Sequence, residues 1–193
     1  MQPRRGSARR PVSSGSRARS SSCSSSAISS TRPLARSEIA DDIGLAAFRT
    51  SETCDLDWRD PVVAAVDSKI AGLLGLPLEV SEPLQGQRYA PGQEFKPHTD
   101  TFEPGGGAYF EHCAETGQRT WTAMIYLNRP EDGGATRFKA IGKTVQPETG
   151  KLLAWNNLLP DGSPNPATLH QGMRVRRGTK YILTKWFRER GAA

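Results

Sequence analysis

Lys180-Tyr181-Ile182-Leu183-Thr184-Lys185-Trp186-Phe187 is the stretch whose reading decides the fold. On an extended strand alternate side chains share a face, so Lys180, Ile182, Thr184 and Trp186 point one way. β-branched and aromatic residues dominate the run, as a half-buried pleated surface requires. An inward lysine in an otherwise apolar interior demands an anionic partner, and a bound dicarboxylate would provide one. The bland alternative is an exposed edge lysine in a strand whose Lys185 also lies outside. Runs of similar texture at Leu84 to Tyr89, Thr120 to Leu127 and Lys151 to Trp155 are separated by Gly, Pro, Asn and Asp. Consecutive runs have no clear helix between them, which fits an antiparallel sandwich or distorted barrel better than βαβ units.

The one clear helical pattern lies earlier. Pro61 opens it, Val62, Val63, Val66, Ile70, Leu73 and Leu74 recur at three- and four-residue intervals, and Gly75 and Pro77 end it. Gly105-Gly106-Gly107 lacks the Gly-Lys-Ser/Thr ending of a phosphate loop and reads as a loop with no helix after it.

The chain has 193 residues, enough for one domain with a sizeable core. No stretch approaches the roughly 18 apolar residues of a membrane helix, which argues against a spanning protein. The net charge of +6 invites a nucleic-acid reading that its distribution withdraws. Residues 1–36 hold eight Arg, twelve Ser and no acidic residue, so the remainder carries 18 basic against 20 acidic groups. The body is close to neutral, and nucleic acid is not an expected partner. The Ser/Arg stretch buries too little apolar area to offset its ordering entropy and reads as a disordered leader over 1–36, ahead of a domain over 37–190. Cys23, Cys54 and Cys113 form an odd set without C-x-x-C spacing, so a reducing, cytoplasmic setting is the expectation.

Only three histidines are present, so each can be weighed. His98 and Asp100 flank Thr99 in Phe95-Lys96-Pro97-His98-Thr99-Asp100, and on a strand their side chains would converge. His170, in Thr168-Leu169-His170-Gln171-Gly172, lies 72 residues further on. Brought together, two neutral imidazoles and a carboxylate occupy one face of a metal ion and leave the opposite positions open. Non-haem Fe(II) oxygenases need that arrangement; zinc in a hydrolase could use the same triad, and the spacing does not choose. His112 reads as a solvated loop residue, and Trp121, Trp155 and Trp186 as barrel packing.

These residues, with several short motifs, resemble the prolyl 4-hydroxylase branch of the Fe(II)/2-oxoglutarate-dependent dioxygenases. The matching elements begin with Gln85-Gly86-Gln87-Arg88-Tyr89 and Gly92-Gln93-Glu94-Phe95, leading to His98-Thr99-Asp100. They continue through Thr122-Ala123-Met124-Ile125-Tyr126-Leu127-Asn128, Gly133-Gly134-Ala135-Thr136-Arg137-Phe138, Val145-Gln146-Pro147 and Gly150-Lys151-Leu152-Leu153 to His170 and Lys180. The resemblance covers about residues 84–188.

It implies a mainly β architecture with flanking helices, a double-stranded β-helix of the jelly-roll, cupin-like kind. It implies Fe(II) held by His98, Asp100 and His170, and Lys180 pairing with the distal carboxylate of 2-oxoglutarate. Thr184 and Tyr126 would add hydroxyls to that pocket, Tyr89 would face co-substrate or substrate, and no catalytic side chain is needed beyond the metal centre. The implied activity is O₂-dependent hydroxylation of an amino-acid residue, peptidyl proline foremost, with release of succinate and CO₂ and ascorbate as a reductant of iron. A free amino acid or small metabolite as substrate, and a non-catalytic or zinc-bound jelly-roll binding module, stay open beside it. The insertion from Thr101 to Arg119, with Pro104, three glycines and Tyr109-Phe110, suits a mobile lid. The chain departs from the family at its front, where 37–83 is short of the usual leading elements; an exposed sheet edge there would favour a homodimer.

Overall fold

The structure is a computed structural model and describes residues 35–36 and 48–191. The first strands are β1 (Ala35–Arg36) and β2 (Glu52–Asp55), followed by helix α1 (Pro61–Leu74), β3 (Gln85–Tyr89) and β4 (Phe95–His98). Helix α2 (Gly107–Cys113) precedes β5 (Arg119–Tyr126), β6 (Asp132–Gly133), β7 (Thr136–Phe138), β8 (Lys143–Val145) and β9 (Leu152–Asn156). The last strands are β10 (His170–Gly172), β11 (Val175–Arg177) and β12 (Lys180–Arg188). β1 reaches two residues into the expected leader, since Ala35 pairs with Thr53. The rest of that leader lies outside the described residues.

All pairings are antiparallel. A major sheet runs β1-β2-β3-β12-β5-β9, a minor sheet runs β4-β10-β7-β8, and β6 pairs with β11. This is the double-stranded β-helix that the resemblance implies. Strand β12 lies between β3 and β5, with Ile182 opposite both Gln87 and Tyr126 and Thr184 opposite both Gln85 and Met124. Its alternation therefore sorts the whole sheet. Lys180, Ile182, Thr184 and Trp186 line an interior cavity together with Gln87, Tyr89, Thr122 and Met124. Leu183 and Phe187 face the other way, into a core with Cys54, Leu84, Ala123 and the helix residues Val63, Ile70 and Ala71.

Helix α1 is built as its sequence predicts. The Asp60 side chain accepts from the backbone N–H of Val62 at 2.8 Å, Pro61 occupies the first turn, and Gly75 caps the end in the left-handed region at φ 66°. The apolar stripe is narrower than the periodicity indicates. Val62 and Leu73 stand in solvent, whereas Asp67 is buried beneath the sheet.

The glycine run is a correction. Gly106 is the N-cap of α2, so a helix follows where a loop is expected. Seven residues are too few for a helical period to be seen, and α2 buries only Ala108 and Cys113, against Phe102. His112 sits on this helix with its ring 5.2 Å from Phe102, rather than in a solvated loop.

Candidate metal centre and co-substrate pocket

His98 ends β4 and His170 begins β10, and their Cα atoms are direct partners in the minor sheet. Opposed residues of an antiparallel pair point to one face, so the register closes the gap in sequence. The imidazole centroids are 4.3 Å apart. Asp100 does not belong to β4; a bend after His98 swings its carboxylate back. The strand alternation expected for His98 and Asp100 is thus replaced by a strand end plus a turn, and the convergence is kept, with His98 Nε2 3.8 Å from Asp100 Oδ1. One ligand atom from each of His98, Asp100 and His170 lies within 4.8 Å of the others.

Backbone carbonyls set the tautomers. His98 Nδ1 lies 2.7 Å from Lys96 O and His170 Nδ1 2.9 Å from Thr168 O. A carbonyl only accepts, so both Nδ1 atoms carry a proton, and in the neutral ring that leaves the lone pair on Nε2 for a metal. Burial, with His170 nearby, pushes the His98 pKa down to about 3, so the ring is neutral at physiological pH. Burial alone would raise the Asp100 pKa, but His170, His98, Arg119 and a hydrogen bond from Thr122 together hold it below the usual carboxylate value. Two imidazoles, that of His98 neutral, and an ionised carboxylate are a donor set that suits a divalent ion such as Fe(II).

Lys180 enters the same cavity from β12 and is 1% exposed. Among the described residues no carboxylate meets it. Its Nζ lies 5.0 Å from the Tyr89 ring centroid and 5.3 Å from that of Tyr126, and burial pushes its pKa down to about 7. Gly134, at φ 73°, passes close behind it, where an added Cβ would stand 3.2 Å from Lys180 Cδ. Gly134→Ala is therefore expected to destabilise the protein by about 1–2 kcal/mol from the left-handed backbone alone, measured by denaturant titration.

Thr184 and Tyr89 are joined through Gln87, a residue that carried no assigned role in the sequence. Tyr89 OH donates to Gln87 Oε1 at 2.9 Å, and Gln87 Nε2 donates to Thr184 Oγ1 at 3.0 Å. The Thr184 hydroxyl, having accepted, keeps its own proton to donate. Tyr126 is placed differently from Tyr89 and Thr184. It stands behind the cavity wall and donates its hydroxyl to Thr136 Oγ1 at 2.6 Å, so its ring supports Lys180 while Thr136 faces the cavity.

Trp155 and Trp186 form further walls, and their buried indole N–H groups find no acceptor among the described residues. Arg119 lies 4.0 Å over the Trp186 ring and makes a bidentate pair with Glu82, 2.7 Å at each oxygen. Arg188 Nε approaches the same carboxylate at 2.6 Å. Glu82 and Arg119 escaped the sequence reading because a lone acid before a proline carries no spacing signal. Gln87 and Thr122 could have been found, since they share a strand face with Tyr89 and Tyr126.

A profile of the 2OG-Fe(II) oxygenase superfamily matches residues 84–188. The chain belongs to this superfamily. Among curated proteins it is 32% identical over 163 residues to prolyl 4-hydroxylase subunit alpha-1 of Caenorhabditis elegans, covering 82% of this chain and 29% of the relative. It is 33% identical over 147 residues to the Gallus gallus subunit of the same name, covering 76% of this chain and 28% of the relative. The chain thus spans less than a third of the length of these relatives. Among solved structures it is similar to the viral collagen prolyl hydroxylase of Paramecium Bursaria Chlorella virus-1 in its 2OG complex. There the TM-score is 0.63 at 27% identity, over 75% of this chain and 81% of that one. The donor set, and a buried lysine that meets no carboxylate among the described residues, fit Fe(II) and 2-oxoglutarate.

Proposed function

We propose that this oxygenase hydroxylates proline within a peptide, consuming 2-oxoglutarate and O₂ and releasing succinate and CO₂. The observation that carries the reading is the fully buried Lys180 side chain, which meets no carboxylate among the described residues, in the cavity that also holds His98, Asp100 and His170. An unpaired buried cation is costly, and a dicarboxylate that reaches from the metal face to Lys180 removes the cost. A metal-free or zinc-bound binding module has no use for that lysine, and is not favoured.

In this reading His98, Asp100 and His170 hold Fe(II). When bound, the iron with 2-oxoglutarate supplies the O₂-dependent oxidising chemistry. Lys180 pairs with the remote carboxylate, Thr184 donates to it, and the Tyr89–Gln87 link fixes Thr184 in place. Trp155, Trp186 and Met124 exclude water, which protects a reactive site from side reactions. The protein positions its ligands and needs no side-chain acid or base. Ascorbate serves as the reductant after uncoupled turnover. Peptidyl proline is supported by the names of the curated relatives and by the similarity to the viral collagen prolyl hydroxylase. Exposed Phe110 on α2, in the insertion after the metal chelate, offers an apolar contact for an extended ligand.

The test is anaerobic loading of the protein with Fe(II) and 2-oxoglutarate, then exposure to O₂ with a library of proline-containing peptides. Succinate and the gain of one oxygen atom on proline, located by fragmentation, are expected. Turnover of free proline with no peptide product would overturn the peptidyl reading, and no succinate under any condition would overturn the oxygenase reading.

The ligand-free Lys180 loses its charge as pH rises through about 7, so 2-oxoglutarate should bind more weakly at pH 9 than at pH 6. The limiting slope is about tenfold per unit. Calorimetric titration of 2-oxoglutarate checks this, and equal affinity at both pH values would count against Lys180 as the anchor.

A further inference from the structure

Asp100 is held by more than its own backbone. Its Oδ2 accepts a hydrogen bond of 2.7 Å from Thr122 Oγ1, whereas Oδ1 is the oxygen 3.8 Å from His98 Nε2. Thr122 in turn accepts a bond of 2.8 Å from Asn157 Nδ2. A hydroxyl has one proton to give. Because Asn157 supplies the hydrogen on its own side, the Thr122 proton is committed to Asp100, and the chain Asn157 to Thr122 to Asp100 runs in one direction.

The fold makes room for this chain. Thr122 on β5 is opposite Trp155 on β9 and Trp186 on β12, a small side chain between two indoles, and the gap is where the Asp100 carboxylate enters. Asn157 is pinned just past β9, donating its backbone N–H to Thr120 O at 2.7 Å and accepting from Asn165 N at 2.8 Å. Thr122 and Asn157 are both 0% exposed, so water does not compete for these groups.

We propose that Thr122 and Asn157 are positioning residues that make Asp100 a one-oxygen ligand, tying back Oδ2 so that only Oδ1 is offered to the metal ion. The inference rests on the metal-site reading of His98, Asp100 and His170. Its chemical consequence is the count of open positions. Three protein donor atoms leave room on the opposite face for a chelating co-substrate and O₂, while a carboxylate free to turn and bind through both oxygens takes one of those places. The ligands would be His98, Asp100 and His170, so Thr122 and Asn157 would act on the ion through Asp100.

The experiment is Co(II) binding to the full chain, followed by calorimetry and by visible absorption, whose intensity and position report coordination number. Thr122→Val removes the hydroxyl at nearly constant shape, and Thr122→Ser restores it. Thr122→Val is expected to weaken Co(II) binding about 10–100-fold and to change the Co(II) spectrum. Thr122→Ser should keep the parent spectrum and lie near the parent affinity. Thr122→Ala serves the same purpose as Thr122→Val if the valine protein fails to fold. Parent-like affinity and spectrum in the variant lacking the hydroxyl would overturn the proposal. Absence of Co(II) binding in the parent is a different result, which would overturn the metal-site reading and this one with it.

Discussion

Replacing Lys180 by Met is expected to stabilise the ligand-free protein and to abolish its response to 2-oxoglutarate. The ordinary lysine pKa of 10.5 falls to about 7 here because the ammonium is desolvated. Each unit is about 1.36 kcal/mol, so keeping this side chain at neutral pH costs the folded state on the order of 4 kcal/mol. The folded protein binds fewer protons than the unfolded chain between the two pKa values. The contribution of the neutral amine is therefore fully present only above the unfolded value, and is lost as pH falls through about 7. Methionine fills the same channel without a charge. The gain from Lys180→Met should accordingly be largest at or below pH 7 and fade toward pH 10, as read by denaturant titration at both. Adding 2-oxoglutarate should raise the melting temperature of the parent and leave that of Lys180→Met unchanged. A variant still stabilised by 2-oxoglutarate, or one less stable than the parent at pH 6, would refute the assignment of Lys180.

The four strand runs legible in the sequence all fall in one sheet. Leu84 to Tyr89, Thr120 to Leu127, Lys151 to Trp155 and Lys180 to Phe187 correspond to β3, β5, β9 and β12 within a residue or two at each end. These are strands of five to nine residues, long enough for alternation to show. Strands β4, β7, β8 and β10 have only three or four residues, and β4 contains Pro97, which an edge strand tolerates because one side needs no ladder bond. Periodicity is blind to such elements. His98 and His170 nevertheless belong to that sheet, and they were legible as chemistry, by scarcity and by the His98-Thr99-Asp100 spacing. What the sequence lacked was the register that places them opposite each other.

The site's inner layer was legible and its support was not. Lys180, Thr184, Tyr89, His98, Asp100 and His170 line one cavity. Gln87, Thr122 and Asn157 connect them through bonds whose partners are 97, 22 and 35 residues apart in the chain. No local pattern encodes such separations. Tyr126 shows the same gap from the other side: the resemblance implies a hydroxyl in the pocket, and only the structure shows that hydroxyl spent on Thr136.

Asp67→Ala is expected to destabilise the protein by about 3–5 kcal/mol, the usual result of leaving a buried charge unpaired. Lys185 is on β12 but faces away from the cavity, and α1 covers it, so the outward lysine of the strand pattern is a buried one. Its Nζ meets Asp67 Oδ2 at 2.9 Å, with the two side chains 3% and 9% exposed respectively. The pair sits over the sheet beside Ala123, the direct partner of Lys185 on β5. Asp67 Oδ1 has no hydrogen-bond partner among the described residues, so the desolvation of the carboxylate is only partly offset. The pair is for this reason a poor source of net stability, although breaking it is costly. Asp67→Leu combined with Lys185→Met should then be neutral or more stable than the parent by about 1–4 kcal/mol, whereas each single change destabilises. Equilibrium denaturation of the four proteins measures the coupling. Because the pair lies on the face of β12 opposite Lys180 and Thr184, Co(II) affinity in the double variant should equal that of the parent. A double variant as unstable as Asp67→Ala would show that the ion pair, rather than the packing of α1 on the sheet, holds the helix in place.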